Sequence, residues 1–463
     1  MIQLLVQTKE RLYSKKMAKE KDVNLMEKVI NLSRNRGFIF PGSEIYGGLA
    51  NSYDLGPLGT ELKRNIKDLW WKTFVQKRSD VVGIDAGIIM STLVWQASGH
   101  LENFNDLLIE CKDCHTRFRA DELGKNKCTQ CGGKEFTKPT QFNAMFKTNL
   151  GPVESKENTV YLRPETAQAM FVDFPEVTRS MRSKLPFGIA QVGKAFRNEI
   201  TPGNFIFRLR EFEQMEIEYF INPPKTKADW EKHFDAWLKE IRKWIKLVGI
   251  DANRVKEVDI PKSDRAHYSE RTVDIEFEYP FGQKELYGLA YRTDYDLKAH
   301  QKHSGKNLAY KDLEGGKEII PHVIEPSFGV ERTMLAVLVS AYSEEKVKSA
   351  KGEEEVRVVM KLPKVIAPYK VAVLPLSDKP ALTKIAKKIK EDLQDKFVTD
   401  YDVTQSIGKR YRRQDEIGTP YCVTVDFDSV EDNKVTVRDR DTMKQERIAI
   451  AKLGEYLEEK LKA

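Results

Sequence analysis

The chain has 463 residues, length enough for about three domains of ordinary size. Apolar residues make up 40% and charged residues 32% of it, which excludes a collagen-like or low-complexity chain, and no apolar run approaches the ~20 residues of a membrane span. With 77 basic and 70 acidic side chains the net charge is +7, which permits an anionic partner such as RNA without requiring one, and five cysteines fit a reducing, cytoplasmic setting better than a disulfide scaffold.

Residues 1–36 form a basic arm with nine Lys/Arg against four Asp/Glu, and the segment before Met17 follows no pattern, so Met17 is an alternative start. From Phe38 the texture changes. Gly42, Gly47, Gly48, Gly56, Pro57 and Gly59 punctuate a loop-rich stretch. Leu58, Leu62, Ile66, Leu69, Trp70 and Phe74 then recur at helical spacing and predict a helix over 58–78. Strands are expected over 81–90, 160–163, 187–197, 205–221, 271–279 and 284–292. The alternating run from Arg208 to Tyr219 reads as a ribbon with one charged face. Trp230, Phe234, Trp237, Leu238, Ile241, Trp244, Ile245 and Val248 mark an amphipathic helix that Gly249 stops. Glu344 to Glu355 reads as a charged break, and a domain boundary is placed near 360. Beyond it, strands at 369–374, 399–404, 421–427 and 434–438 alternate with helices at 380–397, 409–416 and 447–461. That predicts a small mixed αβ domain.

Cys111-x2-Cys114 and Cys128-x2-Cys131 are 13 residues apart. Two such knuckles make a closed four-thiolate Zn²⁺ site, structural because no position is left for a catalytic water. Four buried free thiols are the alternative. His115 is read as a surface neighbour, and Cys422 as core.

The chemistry concentrates in two places. Phe196–Arg197–Asn198–Glu199 is followed, after a short loop, by Arg208 and Arg210–Glu211–Phe212. Taken bare, such a hairpin is a solvated charged face. Glu325–Pro326–Ser327–Phe328–Gly329–Val330–Glu331–Arg332 runs from a strand into an apolar helix, with a glycine at the junction where a ligand can approach. Together these resemble motifs 2 and 3 of the class II aminoacyl-tRNA synthetases, and the helix at 58–78 resembles motif 1, which carries the dimer interface in that class. Arg163–Pro164–Glu165–Thr166–Ala167–Gln168, Arg210 to Glu218, Tyr291 to Leu297, Ser98–Gly99–His100 and Asp415 to Pro420 are similar to the homodimeric (α2) glycyl-tRNA synthetase family. The resemblance covers roughly residues 23–463.

It implies an α+β fold: an antiparallel-sheet catalytic domain over 37–360 with a zinc-knuckle insertion at 111–138, then an αβ anticodon-binding domain over 361–463. It implies ATP-dependent joining of glycine to tRNA(Gly) through a glycyl-adenylate, by a homodimer. Carboxylate attack on the α-phosphorus brings two anions together, so cationic clamps are needed, and arginine's charged fork suits them. By resemblance Arg197 holds the α-phosphate and the substrate carboxylate. Arg332, assisted by Arg208, takes the γ-phosphate end. Phe212 stacks under adenine, and Glu199 accepts from the adenine amino group. Asn198, Phe207, Leu286 and Gly329 complete the ATP set. Mg²⁺ is expected to bridge the phosphates, with Glu285 its candidate ligand or a plain strand glutamate. Glycine has no side chain to grip, so the matching pocket is a carboxylate wall of Glu165, Glu216 and Glu325 with Ser327 and Phe212 beside them, and Arg119 a further substrate contact. All three carboxyls are expected to titrate high in the empty enzyme. Loss of Glu216 to Ala is expected to cripple glycine activation.

In the C-terminal domain, Lys409, Arg410, Arg412 and Arg413 surround Tyr411 and form the expected tRNA-binding run. Deleting the domain is expected to spare adenylate formation. The charge divides as +5 over 1–36, −3 over 37–110, +3 over 111–138, −1 over 139–360 and +3 over 361–463. The arm and the knuckle are therefore expected on the tRNA side. The competing readings are a class II enzyme for threonine, proline, serine or histidine, and a synthetase-like RNA binder without activity.

Overall fold

A seven-stranded sheet organises the catalytic part: β1 (Val81–Gly83), β2 (Phe187–Phe196), β3 (Glu211–Ile221), β4 (Val255–Asp259), β5 (Arg271–Tyr279), β6 (Gly282–Thr293) and β7 (His322–Gly329). The order across it is β4-β5-β6-β7-β3-β2-β1, antiparallel throughout except where β1 joins β2. The coordinates are a computed structural model that describes residues 24–120, 123, 127–311, 316–348 and 352–462. Most of the basic arm lies outside them, so its expected place on the tRNA side is not addressed.

Side chains of a strand alternate between faces, and β3 uses both. Met215, Ile217 and Tyr219 enter the main core with Trp70, Trp237 and Trp244. That core is roofed by α1 (Pro57–Trp71), α3 (Lys227–Leu247) and α5 (Val330–Ala341). Phe212, Gln214 and Glu216 face the other way, into a cavity. The charged ribbon expected from Arg208 to Tyr219 is thus a central strand: Glu213, Glu216 and Glu218 are buried, Arg208 and Arg210 half-buried and Glu211 exposed. Residues 205–207 form a 3₁₀ turn, so the strand starts at Glu211.

Helix α1 spends its apolar stripe inward, with Leu62, Ile66 and Trp70 fully buried, and continues as a π turn over Lys72–Gln76. Its charges tie three elements together. Lys63 reaches Glu331 of α5 at 2.6 Å and Glu213 of β3 at 2.8 Å, and Lys67 reaches Glu213 at 2.7 Å. Two short helices, α2 (Ala167–Val172) and α4 (Tyr295–Ser304), pack beside the cavity end of the sheet.

The expected strand over 81–90 is two pieces, β1 and Ile89–Met90. The expected charged break is instead a hairpin of Tyr342–Lys348 with Glu354–Met360. Its alternating charges face water on a two-stranded ribbon, which in sequence looks like a linker. Arg357 of this hairpin is fully buried. It donates to Asp415 at 2.8 Å and to the Arg440 carbonyl at 2.5 Å, so the hairpin is sewn into the C-terminal domain.

That domain has its own core. Strands β8 (Val371–Pro375), β9 (Thr399–Tyr401), β10 (Tyr421–Val425), β11 (Lys434–Asp439) and β12 (Gln445–Ala449) lie in the order β9-β8-β10-β11-β12. Helices α6 (Pro380–Gln394), α7 (Ile407–Ile417) and α8 (Leu453–Lys462) pack on them. β12 and the start of α8 replace the single helix expected over 447–461. Among the described residues no helix is long and apolar enough to cross a membrane.

Candidate active site

A cavity of about 490 Å³ opens on the face of the sheet away from the main core. That volume suits a nucleotide-sized ligand. One end is rich in arginine. Arg197 follows β2, its Nε donating to the Pro164 carbonyl at 3.0 Å, and its guanidinium lies 5.3 Å over Phe212 and 5.5 Å over Phe104. Arg332, in the first turn of α5, lies 4.6 Å over Phe207 and pairs with Glu285 of β6 at 3.0 Å. Arg208, Glu199, Leu286 and Gly329 line the same end. A Cβ at Gly329 would meet only the side chain of Arg332, at 3.5 Å. Asn198 is the one expected nucleotide contact outside the lining; its backbone N–H donates to Ala144 at 2.7 Å.

The other end is acidic, and Glu165, Glu216, Glu325 and Ser327 all line it as expected. The three carboxylates are not equivalent. Glu216 already accepts from four donors: the Ser327 hydroxyl and Gln214 Nε2, both at 2.7 Å, the Thr166 N–H at 3.1 Å, and the Thr166 hydroxyl. A carboxylate has about four acceptor sites, so Glu216 would meet a cation by charge alone. Glu165 has Gln168 Nε2 at 2.9 Å and His100 Nε2 at 3.4 Å, and Glu325 has Arg292 at 2.9 Å; both keep acceptor sites open.

Burial raises Glu216, helped by Glu165, and pushes Glu325 up to about 8 against the pull of Arg292. Glu165 departs from expectation. Burial pushes its carboxyl up, but His100, Arg292 and Gln168 outweigh that and hold it well below the usual range. Of the three it is the carboxylate held ionised.

A buried network behind the wall was not assigned from sequence. Arg292 donates to both oxygens of Asp296 at 2.9 Å as well as to Glu325, and lies 3.7 Å over the Tyr268 ring. Gln168 Nε2 donates to Glu165 and Asp296, and its Oε1 accepts from His300 Nε2 at 2.8 Å. Ser98 pairs with His100 Nδ1 at 2.7 Å. Available signals were the i,i+4 spacing of Arg292 and Asp296 and the i,i+2 spacing of Glu216 and Glu218. Asp274 also lines the cavity, near Glu285, and is pushed up to about 7 by burial and by Glu285 and Glu276.

Two expectations are corrected. Arg119 is outside the cavity lining. It lies on a small sheet of the insertion, 3.3 Å from Asp106, which compensates its charge there. Arg410 is buried rather than presented at the surface: it is 1% exposed, and its guanidinium donates to the carbonyls of Pro375, Asp402 and Leu376. Tyr411 likewise turns inward, under Arg438 and against Thr424. Arg412 pairs with Glu355 and Arg413 with Asp402, which leaves Lys409 as the exposed member of the run.

At the insertion, all four cysteine sulfurs lie within 4.8 Å of one another. Cys111 and Cys131 are 3.6 Å apart, Cys114 and Cys128 3.5 Å. Sulfurs around a tetrahedral ion with ~2.3 Å bonds sit roughly 3.8 Å apart, so the set fits zinc. Backbone N–H groups of Gln130 and Gly133 point at Cys128 and Cys131 at 3.4 Å. Gly132, at φ +77°, supplies the left-handed turn that favours glycine.

An arginine hairpin in an antiparallel sheet, facing the arginine of a strand–glycine–helix junction, defines a class II aminoacyl-tRNA synthetase. Accordingly, residues 146–341 match the family described as tRNA synthetase class II core domain (G, H, P, S and T), and residues 370–460 match the anticodon binding domain family. Curated relatives resolve the branch. A glycine–tRNA ligase of Caldanaerobacter subterraneus is 51% identical over 94% of this chain and 98% of its own length. Those of Geobacillus thermodenitrificans and Macrococcus caseolyticus are each 50% identical over 94% of this chain and 97% and 99% of their own. The chain belongs to the glycine–tRNA ligase family.

Proposed function

We infer that the chain attaches glycine to tRNA(Gly) in two steps at this one cavity. The carrying observation is its polarity: arginines at one end, and at the other a wall of three carboxylates. In the first step a glycine carboxylate oxygen bonds to the α-phosphorus of ATP, and the bond from that phosphorus to the bridging oxygen of pyrophosphate breaks. In the second, a terminal ribose hydroxyl of tRNA attacks the glycyl carbonyl, its proton is lost, and AMP leaves.

Arg197, whose charge acts on Glu216 at one end and Glu285 at the other, is suited to hold both the α-phosphate and the glycine carboxylate. Charge develops there on the phosphoryl oxygens, where a preorganised cation acts most strongly. Arg332 and Arg208 suit the β,γ end, with Phe207, Phe212, Glu199 and Leu286 around the base. Glu165 and Glu325 offer acceptors to the ammonium, Glu216 adds charge, and Ser327 is held by Glu216. Arg332 beside Glu285 holds that carboxyl below its ordinary range, so it is an ionised oxygen donor half-exposed to the cavity. Glu285 would hold Mg²⁺, which offsets phosphate charge when bound. The four cysteines would hold structural zinc.

The reading includes a homodimer in the cytoplasm. Ile45, Tyr46 and Leu49, between 64% and 89% exposed beside α1, support self-association better than α1, whose apolar face is used internally. Five cysteines without a disulfide support a reducing location. The anticodon would meet the C-terminal domain near Lys409. The test is ATP–pyrophosphate exchange across a panel of amino acids. Exchange with glycine alone is expected, and exchange with threonine, proline, serine or histidine instead would overturn the assignment.

A further inference from the structure

Glu218 has no place in the chemistry above, and its surroundings are unusual. It lies on β3 two residues beyond Glu216, on the same face. The β3–β7 register, with Glu216 opposite Ser327, sets it across from Glu325. It is 0% exposed, and neither carboxyl oxygen has a hydrogen-bond partner. An ionised carboxylate left so would be very costly.

Each element around it has been fully used or brings no positive charge. Arg292 of β6 spends its fork on Asp296 and Glu325. β7 brings Glu325, α4 brings Asp296, and β3 itself brings Glu216, all acids. β2 brings Ile189, opposite Glu218, and Gln191. α2 (Ala167–Val172) carries no titratable residue. Glu165, just before α2, is already engaged by His100 and Gln168, and His300 reaches the cluster only through Gln168. Beyond Glu218 the face turns apolar, with Phe171, Ile189 and Phe220. The cluster therefore holds more acids than cations, and the one without a partner is deepest.

We propose that Glu218 is a positioning residue for the amino-acid substrate: it stands protonated beneath the carboxylate wall in the resting enzyme and releases that proton to solvent when the glycine ammonium enters. The inference rests on the glycine reading of the cavity. The ammonium supplies the positive charge that the resting cluster lacks, so the carboxyl ionises and adds its charge to the field holding the substrate. The direction of its titration agrees. Burial and then Glu325 raise Glu218 well above the usual range, with Glu216 and Asp296 adding to them and Arg292 opposing.

The experiment is calorimetric titration of the full chain with glycine, in two buffers of equal pH and different ionisation enthalpy. Wild type is expected to release more protons per glycine near neutral pH than E218Q, which keeps the shape of the neutral acid, binds glycine and leaves only the raised Glu325 and Glu216 carboxyls to contribute. In ATP–pyrophosphate exchange, wild-type kcat/KM for glycine should rise with pH by up to about tenfold per unit, the slope of one proton. In E218Q the rise should be shallower, with KM for ATP unchanged. Glycine binding without proton release in wild type, or release undiminished in E218Q, overturns the inference and leaves the glycine site standing. Absence of glycine binding and exchange in wild type removes the glycine reading itself.

Discussion

The chain has two arginine clusters that look alike in sequence and do opposite things. Arg197 and Arg332 stand over aromatic rings at the edge of a cavity, each guanidinium hydrogen-bonded to a single residue on the protein side, Pro164 and Glu285. Arg410 and Arg357 are fully enclosed, and every partner they have is structural. The difference is the backbone beneath them. A hairpin loop or a helix's first turn aims a side chain over open space. The inner face of α7 and a strand packed on it aim theirs into carbonyl groups that need donors.

The largest effect that would break this comparison concerns Arg197. Arg197→Ala is expected to cut kcat for ATP–pyrophosphate exchange about 10³-fold, roughly 4 kcal/mol of transition-state stabilisation, with thermal unfolding unchanged. An unchanged rate would place Arg197 with the structural arginines. Next comes the acidic end. Glu216→Gln is a cleaner probe than Ala, which would strand four donors. It should lower kcat/KM for glycine by about 10²-fold, in the range of a lost charged contact, and leave KM for ATP alone. A matching loss for ATP would move Glu216 out of the amino-acid pocket.

The same contrast says what the sequence could carry. Period-2 alternation identified β3 as a strand, but whether its charges met water depended on the neighbours β2 and β7, which are distant in the chain. Glu165, Glu216 and Glu325 were legible because their motifs resemble a family pattern. Arg292, His100 and Glu218 were not, because each acquires its role only where strands and helices far apart in sequence converge. The hairpin after Tyr342 was missed for a simpler reason: a two-stranded ribbon with both faces partly wet has the composition of a linker. The closeness of Arg357 to Asp415 also alters an expectation. Cutting the chain at 361 would strip Arg357 of Asp415, one of its two carboxylate partners, so point variants test the two domains more cleanly than deletion.

Smaller effects sharpen the comparison further. Removing zinc with a chelator, or Cys128→Ser, should release about one zinc per chain by direct metal assay. It should lower tRNA charging about tenfold while changing glycine-dependent exchange by less than about threefold, because the knuckle lies outside the cavity lining. Equal loss in both assays would make the insertion part of the catalytic framework. Arg410→Ala should leave exchange intact and lower stability by about 3 kcal/mol, since three carbonyl groups lose their donor. Chemical denaturation measures it, and an effect on tRNA binding without one on stability would return Arg410 to the RNA surface.

The smallest effect belongs to Lys409, the exposed member of the basic run. If Arg410, Arg412 and Arg413 are committed to carbonyl and carboxylate partners, as their contacts indicate, the run presents far less charge to RNA than its four cations suggest. One free lysine on a phosphate contributes about one unit to the salt dependence of binding and no base specificity. Lys409→Ala should therefore weaken tRNA binding about three- to fivefold at low salt, and reduce the slope of log affinity against log salt concentration by slightly less than one. Exchange should be untouched. A slope change near three in the triple variant that also carries Arg412→Ala and Arg413→Ala would mean that Arg412 and Arg413 release Glu355 and Asp402 when RNA arrives, and that the run behaves as the bare sequence suggests. No change at all would move the anticodon to another face of the C-terminal sheet.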